Sequence, residues 1–334
     1  MILLLTTEAG DLSHMEIVNW LEFHRADYMI LTGESLLKGE IEFTYKRGEL
    51  VCNGRNLSKD VNVVYYRRWL YPSGVILSKD RLLNQSLLEN LYNETIEINV
   101  FFSSHLKKAV WIPPYQSVYV NKLTVLNLAQ EVGLSVPSTI VTTSKSELLN
   151  FLRRCKYGCI TKAIGNYTNI ISDHGTWSKP IYTKAINIDF ILTKCSSKFT
   201  ISLFQEKIPK VIELRVFYFM GYFHTTAIIS QNDTSTSIDS RISNNDVHST
   251  ITPYQLNEDV CKKLESLFKK LNLNIGSADM IVSPDNKFYF LEINPVGQMG
   301  GYFRRSGVNV EKLIVEKLIE MDLNHERNCG RVGN

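Results

Sequence analysis

The sequence predicts a mixed α/β and α+β protein that is built from more than one subdomain. Strand and helix patterns alternate over roughly the first 100 residues, which is typical of an α/β domain. The later part of the chain, from FTISLFQEKI onward, is richer in strand patterns. The length of 334 residues is too great for one small core and is enough for two or three subdomains.

Composition excludes several classes of protein. The chain is 44% hydrophobic and 21% charged, as in average globular proteins, and its net charge of +3 is too small to favour nucleic acid. No apolar run reaches the roughly 18 residues that a membrane span needs. No basic region precedes the first apolar run, so MILLLTT is expected to be a strand rather than a signal peptide. The scattered cysteines favour reduced thiols in a cytoplasm. We therefore expect a cytoplasmic protein and, from the charge and the missing apolar run, one that binds neither nucleic acid nor membrane.

The first elements predict an N-terminal α/β domain over residues 1–105. MILLLTT is followed by a capping box of Ser13 and Glu16, which predicts a helix over IVNWLEF. YMIL is a second strand, IEFTYKRGELVC is a hairpin around Arg47 and Gly48, and VNVVYYRRWL is a third core strand. Residues 82–96 have a helical period.

A central subdomain is predicted over residues 106–190. WIPPYQSVYVNK breaks the preceding pattern and predicts a connection between domains. NKLTVLNLAQEVG has helical apolar spacing and ends at Gly133, and PSTIVTT is extended. Ser144 and Glu147 form a second capping box, and two short strands follow around CITKAIG and IYTKA.

A C-terminal subdomain is predicted over residues 191–325. FTISLFQEKI, ELRVFYFMG and YFHTTAIIS predict strands. Residues 231–250 are almost wholly polar, which predicts a loop or a mobile segment. EDVCKKLESLFKKLNL predicts a helix capped by Asn257, and SADMIVSPDNKFYFLEINP predicts a hairpin. VEKLIVEKLIEM predicts a closing helix, and residues 326–334 are expected to be a flexible tail.

The segment FYFLEINPVGQMGGY carries the strongest chemical signal. Glu292 and Asn294 interrupt an apolar strand, where an unpaired carboxylate would be very costly. Residues two apart share a strand face, so the pair offers two oxygen ligands side by side, which suits Mg²⁺. A turn of even length over residues 283–286 would bring Asp279 to the same face. Alternatively, Asp279 begins a strand at the surface and Asn294 only shapes the turn before Pro295, which leaves Glu292 unexplained.

Two lysines are candidate phosphate ligands. Lys122 stands at a helix start, where the helix macrodipole disfavours a cation that has no partner. Lys162 lies in an otherwise apolar strand and could direct its ammonium group at a phosphate. Taken alone, each lysine is more often a solvated side chain.

LFQEKIPKVIELRV predicts a strand, a bend at Pro209 and a second strand. Such a bend can offer backbone groups to an adenine edge. Glu213 and Arg215 share a face, where Glu213 could bind ribose hydroxyls and Arg215 a phosphate or a substrate carboxylate. Alternatively, the two form an exposed ion pair on an edge strand. Arg241, in the polar loop, is a candidate phosphate ligand or a solvated side chain.

YYRRWLY, at residues 65–71, leaves two interpretations open. Its arginines could bind an acidic peptide or a phosphate, or they could form a salt bridge at the strand end.

The order of these motifs resembles the ATP-grasp superfamily between about residues 106 and 320. The sequence NK at 121–122 is followed by ITKAIG, FQEKI, ELR, SRISN, SADMIV and FLEINPVGQ. MILLLTT…S…IVNWL, YYRR, QEVGLSVPSTIVTTS and NPVGQ resemble more narrowly the graspetide (microviridin-type) peptide maturases, especially the grasp-with-spasm branch.

The resemblance implies an ATP-grasp fold preceded by an α/β pre-ATP-grasp domain. It also implies roles for the candidate residues: Lys122 and Lys162 on the phosphates, backbone of Gln205, Glu206, Lys207 and Ile208 on adenine, Glu213 on ribose, Arg215 and Arg241 on the transferred phosphoryl group, and Asp279, Glu292 and Asn294 on Mg²⁺. One departure is the stretch AIGNYTNIISD, which has only Gly165 where many relatives have a glycine-rich loop.

The activity that the resemblance implies is an ATP-dependent ligation. Side-chain carboxylates of Asp or Glu in a ribosomally made precursor peptide would be activated by ATP as acyl phosphates, with release of ADP. Attack by Ser or Thr would give esters and attack by Lys would give amides, with release of phosphate. The implied cofactors are ATP and Mg²⁺, and the implied partners are a precursor peptide with a leader segment and a second copy in a homodimer. Two alternatives remain open: an amino-acid or small-molecule ligase, and a catalytically inactive binding module.

Overall fold

The structure, a computed structural model, describes residues 1–8, 13–70, 75–165, 169–171, 178–180, 183–229, 250–297 and 300–330. The chain forms two compact units, and each is discontinuous in sequence. Unit 1 comprises Met1–Tyr119, Asn272–Gly276 and Pro295–Asn334. Unit 2 comprises Val120–Leu271 and Ser277–Asn294.

Unit 1 is centred on a parallel four-stranded sheet with the order β2-β1-β6-β7. The apolar runs ILLLT and VVYY are wholly buried, as expected for parallel strands that are covered on both faces. The elements of this unit before residue 120 are β1 (Ile2–Thr6), α1 (Ser13–Phe23), β2 (Tyr28–Thr32), α2 (Gly33–Leu37), β3 (Phe43–Lys46), β4 (Glu49–Cys52), β5 (Arg55–Asn56), α3 (Leu57–Asp60), β6 (Val63–Tyr66), α4 (Arg81–His105), β7 (Val110–Ile112) and a 3₁₀ turn (Tyr115–Ser117).

A small antiparallel sheet with the order β3-β4-β5 accompanies the main sheet. Its first hairpin turns at Arg47 and Gly48, which have φ angles of 55° and 83°. Two consecutive positive φ angles match the twist of a tight hairpin, which confirms the turn predicted there.

Unit 2 contains an antiparallel sheet with the order β12-β9-β13-β8, packed against two helices. Ser144 caps the first of these helices by accepting from the Glu147 N–H, as the capping box predicts. The elements are α5 (Lys122–Glu131), β8 (Thr139–Ser144), α6 (Lys145–Arg154), β9 (Cys159–Lys162), β10 (Asn169–Ile171), β11 (Ser178–Pro180), β12 (Lys184–Ile186), α7 (Ile188–Lys194) and β13 (Lys198–Glu206).

A second sheet of unit 2 has the order β16-β15-β14-β17-β18. Asn257 caps the helix beside it by accepting from the Asp259 N–H, so that prediction is also confirmed. The elements are β14 (Ile212–Phe219), β15 (Tyr222–Ile229), β16 (Thr250–Pro253), α8 (Glu258–Lys270), β17 (Ile275–Val282) and β18 (Phe288–Asn294).

The chain ends with α9 (Gly300–Arg305) and α10 (Val310–Gly330). α10 packs on α1, β1 and β6 of unit 1. In the second half of this helix, Asp322 Oδ1 accepts from the Met1 amino group at 2.7 Å and from Asn62 Nδ2 at 2.8 Å. The helix runs on through residue 330, so this part of the predicted tail is helical, because HERNC contains neither glycine nor proline.

The main difference from the sequence prediction lies near residue 105. β7 pairs with β6 in the first sheet, so strand pairing of unit 1 continues beyond the predicted domain end. A strand of three residues is too short to show a periodic pattern. The division into domains at 1–105, 106–190 and 191–325 remains a proposal about ATP-grasp subdomains. Within the described residues, no helix is both long and apolar enough to cross a membrane.

Candidate active site

Asp279 of β17 lies directly opposite Glu292 of β18, and Ser277 lies opposite Asn294. The three predicted metal ligands therefore share one face of the hairpin, as the sequence predicts. The pairing follows from a β-bulge, because Met280 pairs with Phe290 and the next residue, Asp279, pairs with Glu292. Leu291 is the extra residue.

The turn of this hairpin differs from the predicted one. The Asn286 N–H donates to the Ser283 carbonyl, but Asn286 has a φ angle of 58° and Ser283 pairs with Lys287. The loop therefore has three residues instead of two, which shifts the register by one and would turn Glu292 away from Asp279. The bulge at Leu291 reverses that shift. The predicted facing pair is confirmed, but the predicted even-length turn is wrong.

Arg215 on β14 binds Asp279 on the neighbouring strand, β17. Its Nη2 donates to Asp279 Oδ2 at 3.0 Å. Its Nε lies 3.0 Å from Oδ1, a contact that has the distance of an ion pair but not the angle of a hydrogen bond. A guanidinium in this position supplies the positive charge that a half-buried carboxylate requires.

Lys122 is the first residue of α5, and its Nζ lies 4.0 Å from Glu292 Oε2. Asn121 caps this helix by accepting from the N–H groups of Leu123 and Thr124. The carboxylate of Glu292 offsets the unfavourable position of a lysine at a helix N-terminus. The structure thus brings Lys122 to the same face as the three predicted metal ligands.

The oxygen atoms of this face fit a hard divalent cation. Burial raises the pKa of Asp279 to about 6, the charge of Arg215 lowers it in part, and the charge of Glu292 raises it again. Asp279 Oδ1 is buried and accepts no hydrogen bond from the described residues. Two carboxylates that repel each other, one with an oxygen lacking a hydrogen bond, would be stabilised by Mg²⁺.

Asn294 Nδ2 donates to Asp279 Oδ2 at 3.4 Å. Rotation of the Asn294 amide by half a turn would place its oxygen, a possible metal ligand, where Nδ2 now lies. No three His, Cys, Asp or Glu side chains cluster as a metal site in the described part of the chain. The predicted metal ligands are two carboxylates and one amide, Asp279, Glu292 and Asn294, so they are not a cluster of three such side chains.

Glu213 also lies on β14, two residues from Arg215, and its carboxylate binds Lys210. Lys210 is not among the residues that the sequence predicts for the site. It directly follows Pro209, and its spacing of three residues from Glu213 was the available signal. Glu213 is only 20% exposed, so the alternative of an exposed surface pair does not describe it.

Lys162 lies on the other sheet of unit 2, opposite Leu203 of β13. Cys159 and Phe204 point to the face covered by α6 and α7, so Lys162 belongs to the opposite face by strand alternation. Gln205 shares that face, and its Nε2 donates to Thr139 Oγ1 at 2.9 Å. Its side chain therefore has a structural partner within the sheet.

The proposed adenine-binding segment follows the end of β13. The Glu206 N–H donates to the Ser138 carbonyl at 2.8 Å, and the Lys207 N–H donates to the Gly158 carbonyl at 2.9 Å. These two donors hold the bend in place. A nucleobase at this bend would therefore use the Ile208 N–H and the nearby carbonyl groups.

A cleft of about 490 Å³ lies on the helix-covered side of this sheet. Its lining includes Cys155, Tyr157, Cys159, Asn187 and Lys207. Of the predicted site residues only Lys207 contributes to it, so the cleft is separate from the face that carries Lys162.

Two predictions fall partly or wholly outside the described residues. Arg241 lies within the segment 230–249, which the structure does not describe. Of AIGNYTNIISD, residues 163–165 and 169–171 are described, and the latter form β10.

Comparison with known proteins shows the fold. No family model and no curated protein matches the sequence. The macrocyclase MdnC from Microcystis aeruginosa MRC, solved with the precursor peptide MdnA, superposes with a TM-score of 0.79 at 23% identity, covering 96% of this chain and 100% of that chain. A RiPP-associated ATP-grasp ligase of Chryseobacterium gregarium, solved with ADP and a leader and core peptide, gives 0.78 at 22% identity, with 97% and 96% covered. The ATP-grasp ligase PsnB, solved with a minimal precursor, Mg and ADP, gives 0.76 at 14% identity, with 96% and 97% covered. The chain has the ATP-grasp fold.

Proposed function

We propose that this chain is an ATP-dependent ligase that activates Asp or Glu side-chain carboxylates of a ribosomally made precursor peptide and closes them onto Ser, Thr or Lys side chains. The observation that carries the proposal is the single face formed by Asp279, Glu292, Asn294 and Arg215, with Lys122 beside it. Three of the neighbours that match nearly the whole chain support it: a macrocyclase solved with its precursor peptide, and two ATP-grasp ligases solved with a leader and core peptide or with a minimal precursor.

The nucleotide is assigned to unit 2. Asp279, Glu292 and Asn294 would hold Mg²⁺, and Lys122 and Lys162 would contact the phosphates. The bend at Gln205–Ile208 would hold adenine, and Glu213, released from Lys210, would bind ribose. Arg215 would stabilise the transferred phosphoryl group. Arg241 is assigned the same role from the sequence alone.

The chemistry needs positive charge more than a protein nucleophile. A carboxylate does not condense with an alcohol or amine in neutral water, whereas an acyl phosphate formed from ATP is electrophilic. Phosphoryl transfer is accelerated by fixed charges aimed at the phosphoryl oxygens. Arg215 is held at 3.0 Å from both oxygens of Asp279, so its guanidinium is already oriented before substrate binds.

We propose a cytoplasmic enzyme that binds the leader of its precursor, does not bind nucleic acid or membrane, and forms a homodimer. The small net charge of +3 supports the absence of nucleic acid. Light scattering at working concentration tests the dimer, and a monomeric mass would refute it.

The decisive experiment is mass spectrometry of the peptide encoded by a short neighbouring gene after incubation with the protein, ATP and Mg²⁺. Loss of one or more water molecules from the peptide, together with ADP, is the expected result. ADP formation with an unchanged peptide mass would favour the amino-acid or small-molecule ligase. Absence of ADP with every peptide would favour the inactive binding module.

A further inference from the structure

Ser277 carries a buried hydroxyl group to which the proposed function assigns no role. It lies on β17 and has an exposed fraction of 1%. Its Oγ makes no hydrogen bond with any of the described residues. A buried polar group without a hydrogen bond costs free energy, and such groups are rare in folded proteins. Valine or isoleucine would suit a buried strand position better, so the hydroxyl is expected to serve a function.

The position of Ser277 connects it with the predicted metal ligands. Ser277 lies two residues before Asp279, so the two side chains share one face of β17. It also lies directly opposite Asn294 of β18. Directly opposed residues of an antiparallel pair have Cβ atoms roughly 5 Å apart, a distance that one hydrogen bond between a hydroxyl and an amide can span. Ser277 is therefore the fourth side chain of the patch that Asp279, Glu292 and Asn294 form.

The amide of Asn294 directs its nitrogen, and not its oxygen, towards Asp279. Nδ2 donates to Asp279 Oδ2 at 3.4 Å, which is long for a hydrogen bond. An amide binds Mg²⁺ through its oxygen, whereas its nitrogen only donates hydrogen bonds. The orientation that binds a metal ion is therefore the reverse one, with Oδ1 directed at the carboxylates and Nδ2 turned away from them.

The reverse orientation needs a new acceptor for the Asn294 amide nitrogen. Without an acceptor, Nδ2 would lose its hydrogen bond to Asp279 Oδ2 and gain none. A serine hydroxyl can accept as well as donate, and it can take three staggered positions by rotation about the Cα–Cβ bond. Such a rotation of Ser277 breaks no hydrogen bond with the described residues, because its Oγ makes none with them. The strand opposite Asn294 thus already carries the acceptor.

We propose that Ser277 is a positioning residue of the metal site: its hydroxyl accepts from Asn294 Nδ2 and so holds the amide with Oδ1 directed at Mg²⁺. The inference rests on the proposed function, in which Asp279, Glu292 and Asn294 hold the metal ion. Ser277 acts through Asn294 and does not touch the metal ion or the nucleotide. The buried hydroxyl destabilises the metal-free protein and gains its hydrogen bond when the metal ion binds.

The test measures metal affinity through nucleotide binding, so turnover is not needed. The probe is mant-ADP, a fluorescent derivative of ADP, whose anisotropy is followed while Mg²⁺ is titrated into the full-length protein. Ser277→Ala should raise the Mg²⁺ concentration for half-maximal binding about fivefold, the ratio that corresponds to one hydrogen bond. The affinity for mant-ADP without Mg²⁺ should not change. An unchanged Mg²⁺ dependence in Ser277→Ala would overturn the proposal.

The melting temperature of the metal-free protein separates positioning from a structural role. Ser277→Ala removes a buried hydroxyl that makes no hydrogen bond with the described residues. The melting temperature without metal and nucleotide should therefore stay the same or rise. A clear fall would show that the hydroxyl supports the fold, and it would overturn the proposal.

Ser283→Ala is the matched control. Ser283 is also buried, with an exposed fraction of 3%, and directly follows β17 at the turn of the same hairpin. Its Oγ donates to Asp285 Oδ1 at 2.5 Å, so Ser283→Ala should lower the melting temperature and leave the Mg²⁺ dependence unchanged. An equal change of the Mg²⁺ dependence in the two variants would show a general effect on the hairpin and overturn the positioning role.

The double variant Ser277→Ala/Asn294→Ala decides whether Ser277 acts through Asn294. Asn294→Ala alone should raise the Mg²⁺ concentration for half-maximal binding more than Ser277→Ala does, because it removes a predicted ligand. The second substitution should then have no further effect, because no amide remains to be oriented. A fivefold effect of Ser277→Ala that persists in the Asn294→Ala protein would overturn the proposal.

Failure of the proposed metal site is seen separately. An unchanged Mg²⁺ dependence in Asn294→Ala would refute Asn294 as a metal ligand, and the role of Ser277 with it. Weaker Mg²⁺ binding in Asn294→Ala, combined with an unchanged Mg²⁺ dependence in Ser277→Ala, would refute only the role of Ser277.

Discussion

Asp279 and Glu292 face each other across β17 and β18 because two irregularities of the hairpin cancel. The extra loop residue Asn286 shifts the register by one, and the bulged residue Leu291 shifts it back. Each irregularity alone would place the two carboxylates on opposite faces of the sheet. The acidic face thus depends on two positions that carry no charge at neutral pH.

Glu292→Gln is expected to lower ATP turnover by at least about a hundredfold, because it removes one charge from the Mg²⁺ ligands and changes the side-chain volume little. ADP release and thermal unfolding should be measured together, with the melting temperature nearly unchanged. Glu265→Gln is the matched control, since Glu265 is 34% exposed and Glu292 is 32% exposed, and each lies near a lysine. Turnover by Glu292→Gln equal to that of the control would refute the metal assignment.

Arg215→Gln should lower kcat by about a hundred- to a thousandfold, the usual loss when a preorganised charge is removed from a transition state. It also leaves Asp279 without its guanidinium, so the dependence of the rate on Mg²⁺ concentration should shift. Arg215→Lys keeps the charge but not the paired contacts at 3.0 Å, and should recover only part of the rate. Full activity in Arg215→Lys would mean that the two parallel contacts of the guanidinium with Asp279 are not needed for catalysis.

Lys122→Met should raise the KM for ATP about tenfold, corresponding to the loss of one charge-assisted contact with phosphate. Lys270→Met removes a comparable lysine, which pairs with Glu131 at 3.1 Å on the surface of the same unit, and should leave KM unchanged. A change in melting temperature without a change in KM would show that Lys122 only neutralises Glu292.

Asn286→Val should lower the free energy of unfolding by at least about 1–2 kcal/mol, because a β-branched residue is strained at a φ angle of 58°. Asn286→Gly keeps the turn accessible and should cost little. Denaturant titration measures both variants. If the two variants are equally stable, the left-handed turn is not what holds this register.

The buried thiols provide a test of the fold by pH. Burial raises the pKa of Cys52 and of Cys159 to about 11 from an ordinary value of 9.0. The thiol form is therefore favoured in the folded state, so this stabilisation is complete below pH 9 and is lost as the pH rises towards 11. Neither thiol should react with a thiol reagent at pH 8 until the chain is unfolded. Because Cys155, Cys195 and Cys261 are partly exposed thiols, the labelled positions should be identified by mass spectrometry of peptides. Rapid labelling of Cys159 itself would show that the core around it opens in the native protein.

Local sequence patterns predicted most of the secondary structure. The capping residues Ser144 and Asn257 are predictable because a cap is formed within four residues of chain. The shared face of Glu292 and Asn294 is equally local, since it follows from strand alternation alone. β7 and β5 were missed because strands of three and two residues have no period to detect.

The sequence by itself determined the type of site: an acidic strand end with an amide two residues on, and basic residues spread along the chain. Only the tertiary structure decided the pairing of these groups. Arg215 meets Asp279 over a separation of 64 residues, and Lys122 meets Glu292 through the packing of α5 on β18. Such contacts depend on strand order and register, which are set by hydrogen bonds and packing between distant segments. A one-residue bulge has no periodic signature, yet it decides which side chains share a face.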